Sequence, residues 1–363
     1  MKIAIFHELQ ILSGARKMVD EYGKILSKTH TVDLYYSDNK EDSNLNKYFT
    51  NAHYFQFLEK KWIGNNWSLK LYKDTLELFK LYYFHKKISS EINKGNYDIV
   101  FVHPSKLTQA PFILRFLTAK KVYYSPETLR LVYDDSFFLE KGTNFFKEIY
   151  EKFNRQVRKQ IDKQNILKAN LVLTNSKFSQ QNILKAYNIK SFVCYPGVDE
   201  NKYKPSSTKK IYEIFFLGEK TDLEGFDIFN QVLKSYKTDL RVKYIEREKK
   251  PISENNMIQA YNTSKIAVAL SRNEPFGMGT IEAMSCGVPV IALKEGGFIE
   301  AVENGKTGYL VDKNKNQIKE KIDSLLHNED LRIELGKNAR QKVIKEFTWE
   351  TSVNNFLKII KKL

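Results

Sequence analysis

Residues 271–311 read SRNEPFGMGTIEAMSCGVPVIALKEGGFIEAVENGKTGYLV, and they decide the fold. The apolar run Ile266–Leu270 just before them is a buried strand, and it ends in a polar loop. The loop holds Glu274, Pro275, Phe276, Gly277, Met278 and Gly279. A helix begins near Thr280 and runs to Cys286, where Gly287 and Pro289 stop it. The apolar run Val288–Leu293 is the next strand. Strand, loop, helix, strand is the repeating unit of a doubly wound parallel sheet.

The chemistry follows from where the glycines fall. Gly277 and Gly279 sit where the loop meets the helix N-terminus. The unpaired N–H groups there and the positive end of the helix dipole make an anion site. Glycine lets a phosphate come close to the backbone. Glu274 precedes the helix and Glu282 lies within it, so both can face one cleft. A carboxylate is a strong acceptor for vicinal hydroxyls. Two of them flanking a phosphate site suit a ligand with hydroxyls at both ends, the description of a nucleotide-sugar.

Outward from this segment the same grammar recurs. Ile3–Phe6 is a short apolar strand, Met18, Val19, Tyr22, Ile25 and Leu26 recur at helical spacing, and Thr31–Tyr36 is a second strand. Further strands are expected at Asp98–Val102, Lys121–Tyr124 and Leu171–Thr174, then at Ile211–Leu217 and Arg241–Ile245. Residues 45–95, rich in aromatics such as Trp62, Trp67 and Phe79, read as mostly helical. Residues 196–210, with Pro196, Gly197 and Pro205, are the best linker candidate. A chain of 363 residues, at about 150 residues per domain, then makes two α/β domains with an expected cleft between them.

Composition narrows the classes. Basic residues exceed acidic ones by 59 to 43, a formal charge of +16. Nucleic acid, an anionic membrane surface and a phosphorylated substrate would all fit that surplus. Half of it falls in residues 141–190, which carry 11 basic and 3 acidic residues. The helix expected at 145–168 has an apolar stripe of Phe146, Ile149, Phe153, Val157 and Ile161 among lysines and arginines. Either that stripe packs in the core, or it forms a cationic amphipathic surface for anionic lipid. No aromatic-interleaved RNA motif is read, so nucleic acid is not an expected partner. The two cysteines, Cys194 and Cys286, are too few for a disulfide framework or a cysteine metal site, and reduced buried thiols are expected. Asp134 and Asp135 read as surface acids, so no metal site is expected. No apolar run is long enough to span a membrane and no signal peptide is read. The expected location is the cytoplasm, with a possible place on the inner face of the cytoplasmic membrane.

The pattern Glu274-x7-Glu282, then Ala283-Met284-x-Cys286-Gly287-x-Pro289-Val290-Ile291, Gly296-Gly297 and Asn304-Gly305-x-Thr307-Gly308-x-Leu310-Val311 resembles the retaining glycosyltransferases of family 4 (glycosyl transferases group 1). Thr174-Asn175-Ser176, Phe178-Ser179, Pro196-Gly197-Val198-Asp199 and Phe347-Thr348-Trp349-Glu350 are similar to other elements of that family. The resemblance is specific over about 165–200 and 262–350; the first 160 residues match in layout only. It implies a GT-B fold, two Rossmann-like doubly wound domains facing a central cleft. Their bounds would be 1–195 on the acceptor side and 196–349 on the donor side, with a last helix at about 350–363 crossing back.

It also implies roles. Glu274 would hold the donor sugar's hydroxyls and support charge at the reacting carbon. Phe276, Gly277, Met278, Gly279 and Thr280 would meet the sugar and diphosphate. Glu282 would bind ribose hydroxyls, and Gly14 would approach the diphosphate from the other domain. His103 would stand near the acceptor and the donor sugar as a catalytic residue. Ser125 and Glu127, past the strand Lys121–Tyr124, would line the acceptor side. Where the family carries two diphosphate cations, this chain has Glu219 and Glu224; Lys220 is the nearest substitute. Only 55 residues separate Gly218 from Glu274, which points to a missing strand–helix unit and leaves the nucleotide base unread.

The expected activity is therefore a retaining, metal-independent hexosyl transfer, with no cofactor, from a UDP-, GDP- or ADP-sugar to a saccharide or lipid-linked acceptor. Cell-surface glycan or glycolipid synthesis is its expected setting. The rival is a non-catalytic sugar-nucleotide-binding protein of the same fold, which the two glutamates would explain.

Overall fold

The computed structural model describes residues 1–8, 14–38, 45, 47–58, 67–133, 145–244 and 252–363. The first part of the chain runs β1 (Lys2–Glu8), α1 (Gly14–Leu26), β2 (Thr31–Asp38), β3 (Asn51–Gln56) and α2 (Trp67–Tyr72). A π-helical turn, Lys73–Glu77, leads into α3 (Leu78–Lys94). Then come β4 (Ile99–Val102), β5 (Lys120–Tyr124), α4 (Arg130–Tyr133), α5 (Phe145–Ile166), β6 (Leu171–Thr174), α6 (Lys177–Tyr187) and β7 (Phe192–Val193). The second part runs β8 (Tyr212–Phe216), α7 (Phe226–Leu233), β9 (Val242–Tyr244), α8 (Glu254–Asn262), β10 (Ser264–Ala269), α9 (Met278–Ser285) and β11 (Val290–Leu293). It ends with α10 (Phe298–Ala301), β12 (Gly308–Val311), α11 (Lys315–His327), α12 (Glu329–Glu346) and α13 (Trp349–Ile360).

Two compact units result. Residues 1–174, 180–194 and 355–363 form the first; 175–179 and 195–354 form the second. The first holds a seven-stranded sheet in the order β3-β2-β1-β4-β5-β6-β7, the second a five-stranded sheet in the order β12-β11-β10-β8-β9. Every strand pair in both sheets is parallel. Central strands such as Ile99–Val102 and Val290–Leu293 are buried on both faces, as continuous apolar runs require. Each sheet reverses its winding between two strands, β1 and β4 in the first and β8 and β10 in the second. Ligands of open α/β sheets bind beyond the carboxyl ends of such strands.

The structure changes two expectations and decides one alternative. Residues 51–56 are the edge strand β3, in register with Asp33–Asp38 of β2. Across that pairing Tyr35 stacks on His53 at 4.4 Å. The linker candidate is not free chain, because Tyr203 is buried in the second unit's core and Val198 N–H donates to Phe347 O at 2.9 Å. The apolar stripe of α5 is mostly outside the core: Phe146, Ile149, Phe153 and Val157 are all exposed, while Ile161 packs against the core cluster of Leu78, Leu81 and Phe112. Finally, Trp62, Ile245 and the pair Asp134 and Asp135 lie outside the described residues. Both cysteines are buried and neither is in a disulfide, and no helix among the described residues is long and apolar enough to cross a membrane.

Candidate functional site

In the second unit the switch point lies between β8 and β10, and two loops rise from it. One, 217–225, follows β8; the other, 270–277, follows β10 and feeds α9. Gly277 is the N-cap of α9, at φ 89° and ψ 65°. A Cβ there would stand 2.7 Å from the ring of buried Phe298, so both the dihedral and the space demand glycine. Gly296 and Gly297 form a turn that lies directly against the backbone of 274–276, and Gly297 N–H donates to Glu274 O at 2.8 Å. That is the physical reason for the Gly-Gly pair read in the sequence.

Glu274 accepts from Gly277 N–H through Oε1 at 3.0 Å, which aims its carboxylate along the mouth of α9. Phe276 faces inward, 1% exposed, between the rings of Tyr195 and Phe347. It therefore contributes backbone here and anchors the loop with its ring. The first hydrogen bond of α9 runs from Thr280 N–H to Gly277 O, at 3.0 Å. The amides of Met278 and Gly279 precede it at the positive end of the helix. Thr280 is buried, and its hydroxyl has no hydrogen-bond partner. One turn on, Glu282 is buried and accepts from Tyr261 O–H at 2.9 Å. Burial first, and then the Glu282 carboxylate, push the Tyr261 and Tyr203 phenols far above their usual range, so both stay protonated. The other end of α9 is held by Arg340, whose Nη1 donates to Ser285 O at 2.6 Å and Tyr203 O at 3.0 Å.

The loop after β8 carries the departure from the resembled pattern. Glu224 folds across Gly218, and its carboxylate accepts from the Ser271 hydroxyl. Gly225, at φ 74°, closes against Leu270, which docks this loop on its neighbour. Lys220 places its ammonium 4.2 Å above the Tyr244 ring.

In the first unit the corresponding switch point gathers β1 and β4. His103, just past β4, is fully buried, 4.6 Å from the Phe101 ring and 5.1 Å from that of His7. Neither of its nitrogens has a hydrogen-bond partner. Burial, then the neighbouring His7, lowers its pKa well below the usual histidine range; burial takes His7 itself down to about 3. Both imidazoles are neutral at physiological pH. Glu8, at the end of β1, lies 2.8 Å from His85 Nε2 and accepts from Ser105 Oγ at 3.1 Å. Ser125 is buried, its hydroxyl committed to Glu127 O at 3.0 Å. The Glu127 carboxylate is partly exposed, 3.7 Å from Arg130. Gly14 opens α1.

The structure thus brings Glu274, Phe276, Gly277, Met278, Gly279, Thr280 and Glu282 onto one loop–helix element, with Lys220 on the loop after the adjacent β8. His103, Ser125 and Glu127 fall at the carboxyl ends of β4 and β5 in the other unit. Sequence reading missed Tyr261, Tyr203, Arg340 and the Glu8–His85 pair, as well as Glu300. Glu300 caps the amides of Lys177 (2.9 Å) and Phe178 (3.1 Å). All of these act across long sequence separations, where no local signal exists. Among the described residues no group of three or more metal-ligating side chains occurs.

Comparison with known proteins bears on the fold and on the second half of the chain. Residues 248–342 match the family model for glycosyl transferases group 1. An uncharacterized glycosyltransferase of Methanocaldococcus jannaschii is 44% identical over 97 residues, 26% of this chain and 27% of that one. The chain therefore matches about a quarter of that relative's own length. Among solved structures, a sucrose-phosphate synthase from Thermosynechococcus elongatus superposes with a TM-score of 0.75 at 16% identity, covering 99% of this chain and 98% of that one. Anabaena HepE in complex with UDP and glucose superposes with a TM-score of 0.72 at 18% identity over the whole of both chains. The fold is that of the GT-B glycosyltransferases, built of two Rossmann-like α/β domains.

Proposed function

We propose that this protein is a retaining glycosyltransferase that moves a sugar from a nucleotide-sugar to a saccharide or lipid-linked acceptor in cell-surface glycan synthesis. One observation carries the reading: a carboxylate, Glu274, is pinned by the Gly277 amide at the mouth of α9, one helical turn from a second carboxylate, Glu282. The match of residues 248–342 to glycosyl transferases group 1 points the same way. That a fold neighbour holds UDP and glucose makes a uridine donor the first to try.

In this reading the diphosphate sits at the N-terminus of α9, against the amides of Met278 and Gly279. Departure of the nucleoside diphosphate builds negative charge there, and preorganised N–H dipoles stabilise it at no cost in reorganisation. Glu274 holds the sugar hydroxyls and supports the oxocarbenium-like carbon. Glu282, held by Tyr261, takes the ribose hydroxyls. His103 stays neutral and is the candidate group for the acceptor side, with Ser125 and Glu127 on the following strand end. Lys220 would have to leave the Tyr244 ring to reach a phosphate. The reaction calls on no metal, and we place it on the cytoplasmic side of the membrane.

The rival reading, a sugar-nucleotide-binding protein without turnover, draws on the Glu224 carboxylate lodged against Ser271 where a cation would serve the leaving group. Product analysis by proton NMR with a panel of nucleotide-sugars separates the two. Turnover with the donor's anomeric configuration kept, surviving EDTA, is expected. Inverted product would overturn the mechanism, and binding with no turnover would favour the rival.

A further inference from the structure

Helix α5 is built inside out. Its buried residues are Glu151, Asn154, Asp162, Asn165 and Ile166. Its outward row, four residues apart, is Phe145 (69% exposed), Ile149 (50%), Phe153 (67%) and Val157 (36%). A helix packed on a core normally shows the reverse.

The inward polar face has specific partners. Glu151 pairs with Lys70 at 2.9 Å, and Arg158 pairs with Asp74 at 2.6 Å. Tyr150 O–H donates to Asp74 at 3.0 Å, and Arg155 donates to Leu131 O at 2.8 Å. Asp162 accepts from Ala110 N–H at 2.8 Å. These bonds fix the rotation of the helix, so its apolar row cannot turn inward without breaking buried ion pairs. They also sort the charge. Two of the helix's three acids, Glu151 and Asp162, are buried, while Lys147, Lys152, Lys163 and Lys168 are exposed. The outward face is therefore apolar at its centre and keeps these four lysines against one acid, Glu148, which pairs with Lys152 at 2.7 Å.

We propose that this face of α5 docks on an anionic phospholipid bilayer, with the helix lying in the interface plane. Large apolar side chains would enter the acyl boundary while flanking lysines meet lipid phosphates. Charge complementarity selects this occupant: a surface of aromatic and aliphatic side chains ringed by lysines matches anionic headgroups over hydrocarbon. The neighbouring α2–α3 segment, tied to α5 through Asp74, adds Leu76 (57% exposed) and Phe79 (61% exposed) to the apolar surface of this unit. The proposal deepens the transferase reading by bringing the enzyme to a lipid-linked acceptor, but it stands on this face alone.

The test is co-sedimentation of the full chain with vesicles of phosphatidylglycerol and phosphatidylcholine, against vesicles of phosphatidylcholine alone, at low and high salt. Wild type is expected to sediment with the anionic vesicles and to be released by salt. Ile149→Ser with Phe153→Ser should lower the bound fraction at least about tenfold. Lys152→Glu with Lys163→Glu should lower it as well and flatten the salt dependence, and its exposed sites keep the test valid if the serine variant unfolds. Failure of wild type to bind anionic vesicles overturns the proposal. So does equal binding to neutral vesicles, or undiminished binding by both variants. A wild-type dimer that the serine variant converts to monomer would overturn it in favour of a second copy of the chain. Donor hydrolysis measured without vesicles should be unchanged in both variants, so loss of docking and failure of the transferase reading give different results.

Discussion

Two glycines two residues apart separate architecture from chemistry. Gly277 caps α9 at φ 89°, and an added Cβ would meet Phe298 ring carbons at 2.7 and 2.9 Å. Left-handed backbone costs a non-glycine residue about 1–2 kcal/mol. Because Phe298 is only 2% exposed, its ring has little room, and overpacking adds about 1–3 kcal/mol. Gly277→Ala should therefore lose about 2–5 kcal/mol. In a unit of this size that lowers the melting temperature by roughly 2–4 °C per kcal/mol, so by about 4–20 °C. Gly279 is the control. It lies inside α9, and its added Cβ would find nothing nearer than Tyr261 Oη at 3.5 Å, an ordinary contact. Gly279→Ala should be neutral or stabilising by up to about 1 kcal/mol. If the diphosphate rests on this backbone, however, the methyl group stands in its way, and donor affinity should fall about tenfold or more. Differential scanning calorimetry with donor titration reads both quantities. A Gly277→Ala protein melting within 2 °C of wild type would refute the strain argument. Undiminished donor affinity in Gly279→Ala would refute the placement of the phosphate.

Other outcomes follow from single bonds. Glu274→Ala should reduce transfer by about a hundredfold or more, as expected for a group acting on the reacting carbon; full activity would remove Glu274 from the mechanism. Tyr261→Phe deletes a donor to buried Glu282, a loss of about 1–3 kcal/mol in stability. It should raise the donor KM several-fold with kcat little changed, and an equal fall in kcat would point to a different role. Burial raises the Asp162 carboxyl to about 6, while its bonds from Tyr187 and Ala110 pull the other way. A carboxyl raised on folding destabilises once it is charged, so wild type should lose stability relative to Asp162→Asn as pH rises from about 4 to 6, and no further above that. The gap should open by about 3 kcal/mol in urea unfolding series. A gap independent of pH would refute the assignment.

How much of this was readable in advance depended on the range of the interactions. The site loop was legible because its determinants are local: a strand end, a glycine that must take positive φ, and a helix start within twelve residues. The outer strand β3 was not, because an edge strand with a half-exposed burial pattern shows no clean alternation, and its aromatics pair with Tyr35 and Tyr36 of another strand. Periodicity found the α5 stripe but could not say which way it points. Lys70 and Asp74, far back in the sequence, decide that by taking the charged face. Composition likewise marked 196–210 as loose, whereas Tyr203 is held by Arg340, 137 residues on.

The central claim is that the loop and first turn of α9 bind a nucleotide-sugar through Glu274 and Glu282. Thermal shift of wild type, Glu274→Ala and Glu282→Ala against UDP-, GDP- and ADP-sugars tests it most directly. One donor should raise the wild-type melting temperature, and the shift should shrink or vanish in both variants. No shift with any donor, or shifts of equal size in all three proteins, would contradict it.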